Sequence, residues 1–231
     1  MRTMRSAGET EVSGAPMLCV SDLAFCRGGE MVFDAVDLTA DAGQVLQIHG
    51  PNGSGKTTLL RVLAGLLRPF HGTIRWQGAD TRKDALAWRR ALAYVGHANA
   101  VSRDLTVVEN LRFAARLGAA ISCDTSHTHS EHRALGRVGL AACANRLAGA
   151  LSQGQQRRIA IARLLLEPKP LWLLDEPAAA LDAESSQLIA ACIGEHVERG
   201  GIVVMTTHLP LDTAPSATRE FSFERSDSCL A

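Results

Sequence analysis

The stretch Gly50-Pro51-Asn52-Gly53-Ser54-Gly55-Lys56-Thr57-Thr58 decides the fold that this sequence predicts. The apolar run 45–48 before it predicts a buried strand, and the apolar residues of 59–67 recur at helical spacing after it. A glycine-rich turn between a strand and a helix N-terminus is the setting that a P-loop requires. Its glycines let backbone N–H groups converge on an anion, and the helix N-terminus adds partial positive charge. The sequence therefore predicts a phosphate-binding loop over 50–58.

Two side chains give this loop its chemistry. Lys56 supplies a positive charge for the β- and γ-phosphates of ATP, and the Thr57 hydroxyl is a hard oxygen ligand for Mg²⁺. The alternative is an ordinary glycine-rich turn whose lysine faces solvent. The chain contains only three lysines, so the position of Lys56 in this pattern disfavours that alternative.

Composition limits the class of protein. The 231 residues are 46% hydrophobic, which suffices for one domain with a sizeable core. The net charge of zero argues against a nucleic-acid partner. None of the six cysteines forms a C-x-x-C pair, so we expect reduced thiols in a cytosolic chain. No apolar run approaches the roughly 20 residues of a membrane helix.

The pattern of elements predicts an α/β fold with a helical insertion. Residues 17–97 and 167–224 alternate strands and helices and begin with an antiparallel β subdomain, whereas 98–166 reads as helical throughout. We expect one domain over 17–224, in which 98–166 is the helical subdomain. Residues 1–16 are polar and predict a disordered leader without a secretion signal, and 225–231 predict a frayed tail.

A second chemical position is the hydrophobic strand 171–174, which ends in Asp175-Glu176. A buried parallel strand delivers its C-terminal residues to the ligand crevice of an α/β sheet. Asp175 is then placed to hold Mg²⁺, and Glu176 to deprotonate the attacking water as the catalytic base. Alone, this pair could equally be two solvated acids, but a P-loop in the same chain favours the catalytic reading.

The third position is Leu151-Ser152-Gln153-Gly154-Gln155, which also predicts an ordinary helix cap. With the P-loop before it and Asp175-Glu176 after it, the chain resembles the ABC-type ATPases from about Met17 onward, with Gln153 in place of the usual third-position glycine of their signature. The resemblance implies an ABC-type P-loop NTPase core with an N-terminal antiparallel β subdomain and an inserted helical subdomain.

The same resemblance implies a head-to-tail dimer of two copies. Each ATP would lie between the P-loop of one copy and Ser152, Gly154 and Gln155 of the other. It also assigns a catalytic switch role to His208 and a place at the dimer interface to Asp182. Asp182 equally predicts the N-cap of the helix that follows it.

Two positions depart from the family pattern. His97 stands where most members have a glutamine that reaches Mg²⁺, and imidazole suits that hard ion less well. His97 is therefore a weak candidate metal ligand, acting through water, or belongs to a partner contact. Arg27 stands where members usually stack an aromatic ring on adenine, and its guanidinium can stack too. The histidines 127, 129 and 132 favour a solvated loop over a metal or heme site.

Within the family, the motifs around His97, Ser152 and Asp175 most resemble the ATP-binding subunits of heme exporters in bacterial cytochrome c maturation. That likeness implies an integral membrane partner subunit of the CcmB type, bound mainly through residues 98–117. It places the chain at the cytoplasmic face of the inner membrane, with membrane contact only through that partner. The motor of another small transporter, a soluble ATPase of iron–sulfur assembly and a nucleotide sensor without turnover remain alternatives; Glu176 disfavours the last.

Overall fold

The computed structural model describes residues 17–119, 128–167, 169–179, 181–207 and 218–223, with only the backbone given for 118–119 and 128–129. The predicted leader 1–16, the predicted tail 225–231, His127 and the proposed switch residue His208 lie outside the described residues.

The described chain contains nine strands and six α-helices. The strands are β1 Leu18–Arg27, β2 Glu30–Ala40, β3 Val45–His49, β4 His71–Trp76, β5 Ala79–Asp80, β6 Leu92–Val95, β7 Leu171–Asp175, β8 Ile202–Thr206 and β9 Thr218–Ser222. The helices are α1 Lys56–Leu63, α2 Ala85–Ala91, α3 Val107–Ala119, α4 Thr128–Arg137, α5 Gln153–Leu164 and α6 Ala183–Glu198.

An antiparallel sheet in the order β2-β1-β4-β5 forms the predicted β subdomain. The β1–β2 hairpin turns at Gly28 and Gly29, whose φ angles of 61° and 87° require glycine or a strained residue. The sequence predicts a hairpin turn over 27–30 and a strand over 36–40; the turn is confirmed, but β2 begins at Glu30 and not at Val36. The short strand β5 was not predicted, because two residues carry no periodicity.

The second sheet is parallel and has the order β6-β7-β8-β3-β9. Parallel pairing places the carboxyl ends of β3, β7 and β8 at one edge, which is where such sheets bind ligands. The sequence predicts an edge strand over 218–223, and β9 confirms it over Thr218–Ser222. This sheet, with the antiparallel sheet, confirms the predicted α/β class.

Both faces of the parallel sheet are covered. Along β7, Leu171 and Leu173 pack in the cluster shared with the antiparallel sheet and α1, whereas Trp172 and Leu174 pack in the cluster shared with the helical segment. The strand therefore alternates between two apolar environments, which explains why it reads as a continuous hydrophobic run. Apolar packing on both faces of β7 therefore holds its carboxyl end in place.

Helices α3, α4 and α5 pack together as the predicted helical insertion. The sequence predicts one of these helices over 131–142, and both boundaries were wrong: α4 begins at Thr128 and ends at Arg137, before Gly139 with a φ of 68°. Likewise α1 ends at Leu63 rather than near Leu67, because Gly65 adopts a φ of 70°. Apolar spacing continued past each end, but a left-handed glycine ends an α-helix.

The two sheet strands β1 and β4 approach closely at Gly72. A Cβ at this position would lie 2.3 Å from the Asp22 carbonyl oxygen, and its φ is 91°. Gly78 has a similar φ of 80° but no atom within 4 Å of such a Cβ. A side chain at either glycine strains the backbone, but only a side chain at Gly72 also overlaps a neighbouring strand.

We expect Gly72→Ala to lower the free energy of unfolding by about 1–3 kcal/mol more than Gly78→Ala, because only the first forces strands apart. Denaturant unfolding of both variants measures the difference. Equal losses would show that β1 and β4 do not approach as closely as described.

Candidate functional site

The P-loop connects β3 to α1 at the carboxyl edge of the parallel sheet. Gly53 and Gly55 have φ angles of 79° and 107°, which let the backbone curl. The Lys56 ammonium lies inside this curl and donates to the carbonyl oxygens of Gly50, at 2.7 Å, and Pro51, at 2.9 Å. The loop thus holds its own cation at the point where N–H groups of the helix N-terminus converge, which is the arrangement of a phosphate site.

A chain of hydrogen bonds joins this loop to the ends of β7 and β8. The Thr57 hydroxyl lies 3.0 Å from both carboxylate oxygens of Asp175. The Thr206 hydroxyl donates to Asp175 Oδ1 at 2.8 Å and accepts from the Glu176 backbone N–H at 3.0 Å. A hydroxyl and a carboxylate at this separation are hard oxygen ligands, so Thr57 and Asp175 fit a Mg²⁺ ion.

Glu176 leaves β7 in an unusual conformation. Its φ of 50° lies in the left-handed region, which costs a non-glycine residue on the order of 1–3 kcal/mol. Its backbone N–H is held by Thr206, through the carbonyl oxygen at 3.2 Å and the hydroxyl at 3.0 Å. Thr206 of β8 therefore stabilises the turn by which the chain leaves β7 at Glu176.

One cleft of about 530 Å³ is lined by eight of the predicted site residues. Its wall includes the P-loop residues Asn52, Gly53, Gly55, Lys56, Thr57 and Thr58, together with Arg27 and Glu176. Met31 and Val32 of β2 line the same cleft, whereas Phe25 is buried against Phe33. A base entering beside Arg27 would meet aliphatic side chains and a guanidinium.

The signature residues do not line this cleft. Ser152 caps α5: its hydroxyl accepts from the Gln155 N–H at 3.2 Å, and its own N–H donates to Gln155 Oε1 at 3.0 Å. Gly154 lies in the first turn of the helix, where N–H groups lack intrahelical partners. The single chain therefore does not place the N-terminus of α5 in the cleft that contains Lys56, and the predicted role of Ser152 and Gly154 in binding ATP stays a prediction.

Asp182 caps α6 through a 2.8 Å bond from the Ser185 N–H, and hydrogen bonds from the Ser185 side chain and backbone lower its pKa. Its predicted interface role stays a prediction. His97 is exposed and lines a neighbouring groove of about 360 Å³, not the cleft that contains Lys56. Among the described residues, no group of three or more histidines, cysteines or acids is arranged to hold a metal ion.

Arg157 was not singled out in the sequence. It is 5% exposed, and its guanidinium donates to the carbonyl oxygens of Asp175, of Pro177 at 3.3 Å and of Gly96 at 2.6 Å. A further bond reaches Asn99 Oδ1 at 3.2 Å. Burial lowers its pKa, while Asp175 and Glu176 act in the opposite direction. The only available signal was an arginine on a helix face that is otherwise apolar.

Arg163, also on α5, binds the same loop by donating to the carbonyl oxygens of Asn99, at 3.4 Å, and Ala100, at 2.8 Å. Two guanidinium groups therefore tie the signature helix to the loop that carries His97. Arg157 alone also reaches the end of β7. Arg157 therefore connects α5 directly to the loop 96–100 and to Asp175.

We expect Arg157→Lys to lower the free energy of unfolding by about 1–3 kcal/mol, because an ammonium cannot satisfy the carbonyls that the guanidinium fork reaches. We also expect ATP turnover to fall at least about tenfold with little change in KM, since Asp175 loses its support. Arg158→Lys is the matched control, because Arg158 faces Val138 instead. Equal behaviour of the two variants would remove Arg157 from this positioning role.

Comparisons with known proteins agree with this geometry. The chain matches the ABC transporter family model over residues 33–179. It is 49% identical over 227 residues to the cytochrome c biogenesis ATP-binding export protein CcmA of Paraburkholderia xenovorans, covering 93% of this chain and 100% of that protein. The protein of the same name from Cupriavidus pinatubonensis is 46% identical, with 85% of each chain covered.

Solved structures show the same fold. A dimeric ATP-binding cassette in a post-hydrolysis state, bound to ADP and Pi, is 27% identical with a TM-score of 0.78, covering 90% of this chain and 94% of that one. A dimeric bacterial ABC transporter cassette gives 26% identity and a TM-score of 0.77, with 89% and 94% covered. These matches agree with the P-loop and the α/β core described above. The chain therefore belongs to the ABC transporter family, as one of its ATP-binding subunits.

Proposed function

We propose that this chain is the ATP-hydrolysing motor subunit of a membrane heme exporter used in the biogenesis of c-type cytochromes, a translocase that binds ATP and Mg²⁺. The observation that carries the ATPase part is the single cleft in which Lys56, Thr57 and Glu176 meet. The names of the most similar relatives support the export part. We keep 17–224 as one domain with 98–166 as its helical subdomain.

The mechanism follows from the placed residues. Lys56 binds the β- and γ-phosphates, and Thr57 with Asp175 would hold Mg²⁺ against them, which neutralises charge as it develops. Glu176 accepts a proton from the water that attacks the γ-phosphorus. The bond from that phosphorus to the bridging oxygen breaks, and the electron pair leaves with ADP. His208, after β8, is assigned to the γ-phosphate.

A second copy completes the site. The cleft of one chain holds Lys56 and Glu176 but not Ser152 or Gly154. Helix N-termini bind anions, so the capped end of α5 from a second copy suits the exposed side of the γ-phosphate. In this arrangement ATP joins the two chains, Asp182 lies at their interface, and hydrolysis releases them. The two dimeric cassettes among the solved structures support this assembly.

The membrane partner is assigned to the helical side of the chain. No helix among the described residues has the length and apolarity to cross a bilayer. The groove beside His97 and Asn99 is lined by small apolar side chains such as Ala114 and Ala115 and by charged ones such as Arg163. Phe113 and Leu117 on α3 are 53% and 64% exposed. We assign this surface to an integral membrane subunit of the CcmB type at the cytoplasmic face of the inner membrane. Arg157, which binds both the groove's loop and the carbonyl oxygen of Asp175, would then connect the partner to the nucleotide site.

Replacing the proposed base tests the ATPase assignment. We expect Glu176→Gln to slow ATP hydrolysis by roughly 10²–10⁴-fold while ATP binding is retained, because the amide cannot accept the proton of the attacking water. Glu198→Gln, an exposed change at the end of α6, should hydrolyse ATP at the normal rate. Turnover unchanged in Glu176→Gln would contradict the assignment.

The same two variants test the cellular role. Cells that lack this chain should lose covalently bound heme in their c-type cytochromes, which heme staining of gels measures. Glu198→Gln should restore the signal and Glu176→Gln should not. Normal c-type cytochromes without the chain would favour the alternatives, another small transporter or a soluble ATPase of iron–sulfur assembly.

A further inference from the structure

The net charge of zero conceals a strongly basic segment. Between residues 61 and 90 the chain has seven cations and only two acids, Asp80 and Asp84. The cations are Arg61, Arg68, Arg75, Arg82, Lys83, Arg89 and Arg90. The total charge of the chain does not report such a local excess of cations.

Folding brings part of this segment together. A groove of about 350 Å³ lies between the end of α1, β4 and α2, and Arg68, Arg82 and Arg89 lie on its rim. The buried Trp88 fixes α2 in place, because its indole N–H donates to the Leu63 carbonyl oxygen at 3.0 Å. The three arginines thus line one groove, and we name the surface around it, comprising residues 66–70 and 82–90, the basic face.

The basic face also exposes large apolar side chains. Leu66 is 62% exposed, Phe70 59% and Leu86 55%. They adjoin groove residues in the chain: Leu66 follows Gly65, and Leu86 follows Ala85. These three are half of the large apolar side chains that are exposed in the described part of the chain. Exposed apolar groups in the same segments as unpaired cations are typical of a surface that meets a partner.

Few acids neutralise the basic face. Arg82 pairs with Asp80 at 3.2 Å, and the Asp84 carboxylate accepts the Ala87 N–H as the cap of α2. Across the described ranges, Arg68, Arg89 and Arg90 form no ion pair. Their charge is available to an anion outside the chain.

We propose that the basic face binds the surface of an anionic phospholipid bilayer directly, the arginines contacting headgroup phosphates and Leu66, Phe70 and Leu86 entering the interfacial region. This combination of clustered cations and protruding aliphatic groups is that of a peripheral membrane contact. Protruding leucines favour a bilayer over a nucleic acid, which offers them no apolar phase. The inference goes beyond the motor function and departs from the expectation that membrane contact passes only through a partner subunit.

Vesicle sedimentation tests the proposal with the full chain alone. We expect the chain to pellet with vesicles of phosphatidylcholine and phosphatidylglycerol but not with pure phosphatidylcholine vesicles. Binding should weaken sharply between about 0.1 M and 1 M salt, where the Debye length falls from about 10 Å to about 3 Å. ATP turnover of the chain is measured in parallel, so that loss of lipid binding is distinguished from failure of the ATPase assignment.

Variants locate the contact. Each arginine near an anionic bilayer is worth about fivefold in partitioning, so Arg68→Gln, Arg89→Gln and Arg90→Gln together should weaken binding about 10²-fold. The matched control combines Arg103→Gln, Arg133→Gln and Arg146→Gln, three exposed arginines of 98–166, and should bind as the parent does. Leu66→Ser with Leu86→Ser should weaken binding at both salt concentrations, whereas Leu147→Ser, at a site 53% exposed, should not.

Three results would overturn the proposal. They are equal binding to both kinds of vesicle, equal loss in the two triple variants, and tighter binding of an RNA oligomer than of anionic vesicles. In the first two cases the basic face has no lipid partner of its own, and in the third it is a nucleic-acid surface. Thermal unfolding of each variant confirms that the surface changes leave the fold intact.

Discussion

Asp175 is the residue on which the site depends. Its carboxylate accepts from Thr57 on α1 and from Thr206 on β8, and its carbonyl accepts from Arg157 on α5. One residue at the end of a strand thus ties the phosphate loop, the neighbouring strand and the signature helix to one point. Because that strand is buried on both faces, the point is fixed by the core of the molecule and not by a surface loop.

The position of Asp175 explains how the helical segment can report on the nucleotide. Arg157 and Arg163 hold the loop 96–100 against α5, and Arg157 also holds the end of β7. A shift of α5 toward a phosphate therefore moves the loop beside the proposed partner groove, and a shift of that loop moves α5. Buried guanidinium groups suit this purpose, because their rigid forks leave few alternative geometries.

Local patterns predicted most of the fold and most of the cleft. The P-loop, Asp175-Glu176 and the capped helix at Ser152 are short motifs whose chemistry depends on neighbours in the chain. The structure places Lys56, Thr57 and Glu176 around one cleft and Arg27 at its wall. The signature residues and His97 lie elsewhere on the single chain, and their roles stay predictions. Helix ends were predicted less well, because left-handed glycines such as Gly65 end helices that apolar spacing would continue.

Contacts between residues that are distant in the chain could not be predicted from the sequence. Thr206 reads as the last residue of a strand, and Arg157 as one of several arginines on a helix, until folding brings both against Asp175. The basic face was missed for a related reason, since only the fold shows that Arg68 and Arg89 border one groove. A residue whose role depends on partners distant in sequence leaves no periodic signal.

The proposed ATP-bound dimer requires that each chain hold half of a nucleotide site. Light scattering of Glu176→Gln with ATP and Mg²⁺ tests this most directly, because trapped nucleotide should join two copies. We expect the mass of Glu176→Gln to double when ATP is added. Adding Gly154→Asp, which places a carboxylate at the N-terminus of α5, should return the mass to that of one chain. A single-chain mass with ATP fully bound in Glu176→Gln would contradict the proposed dimer.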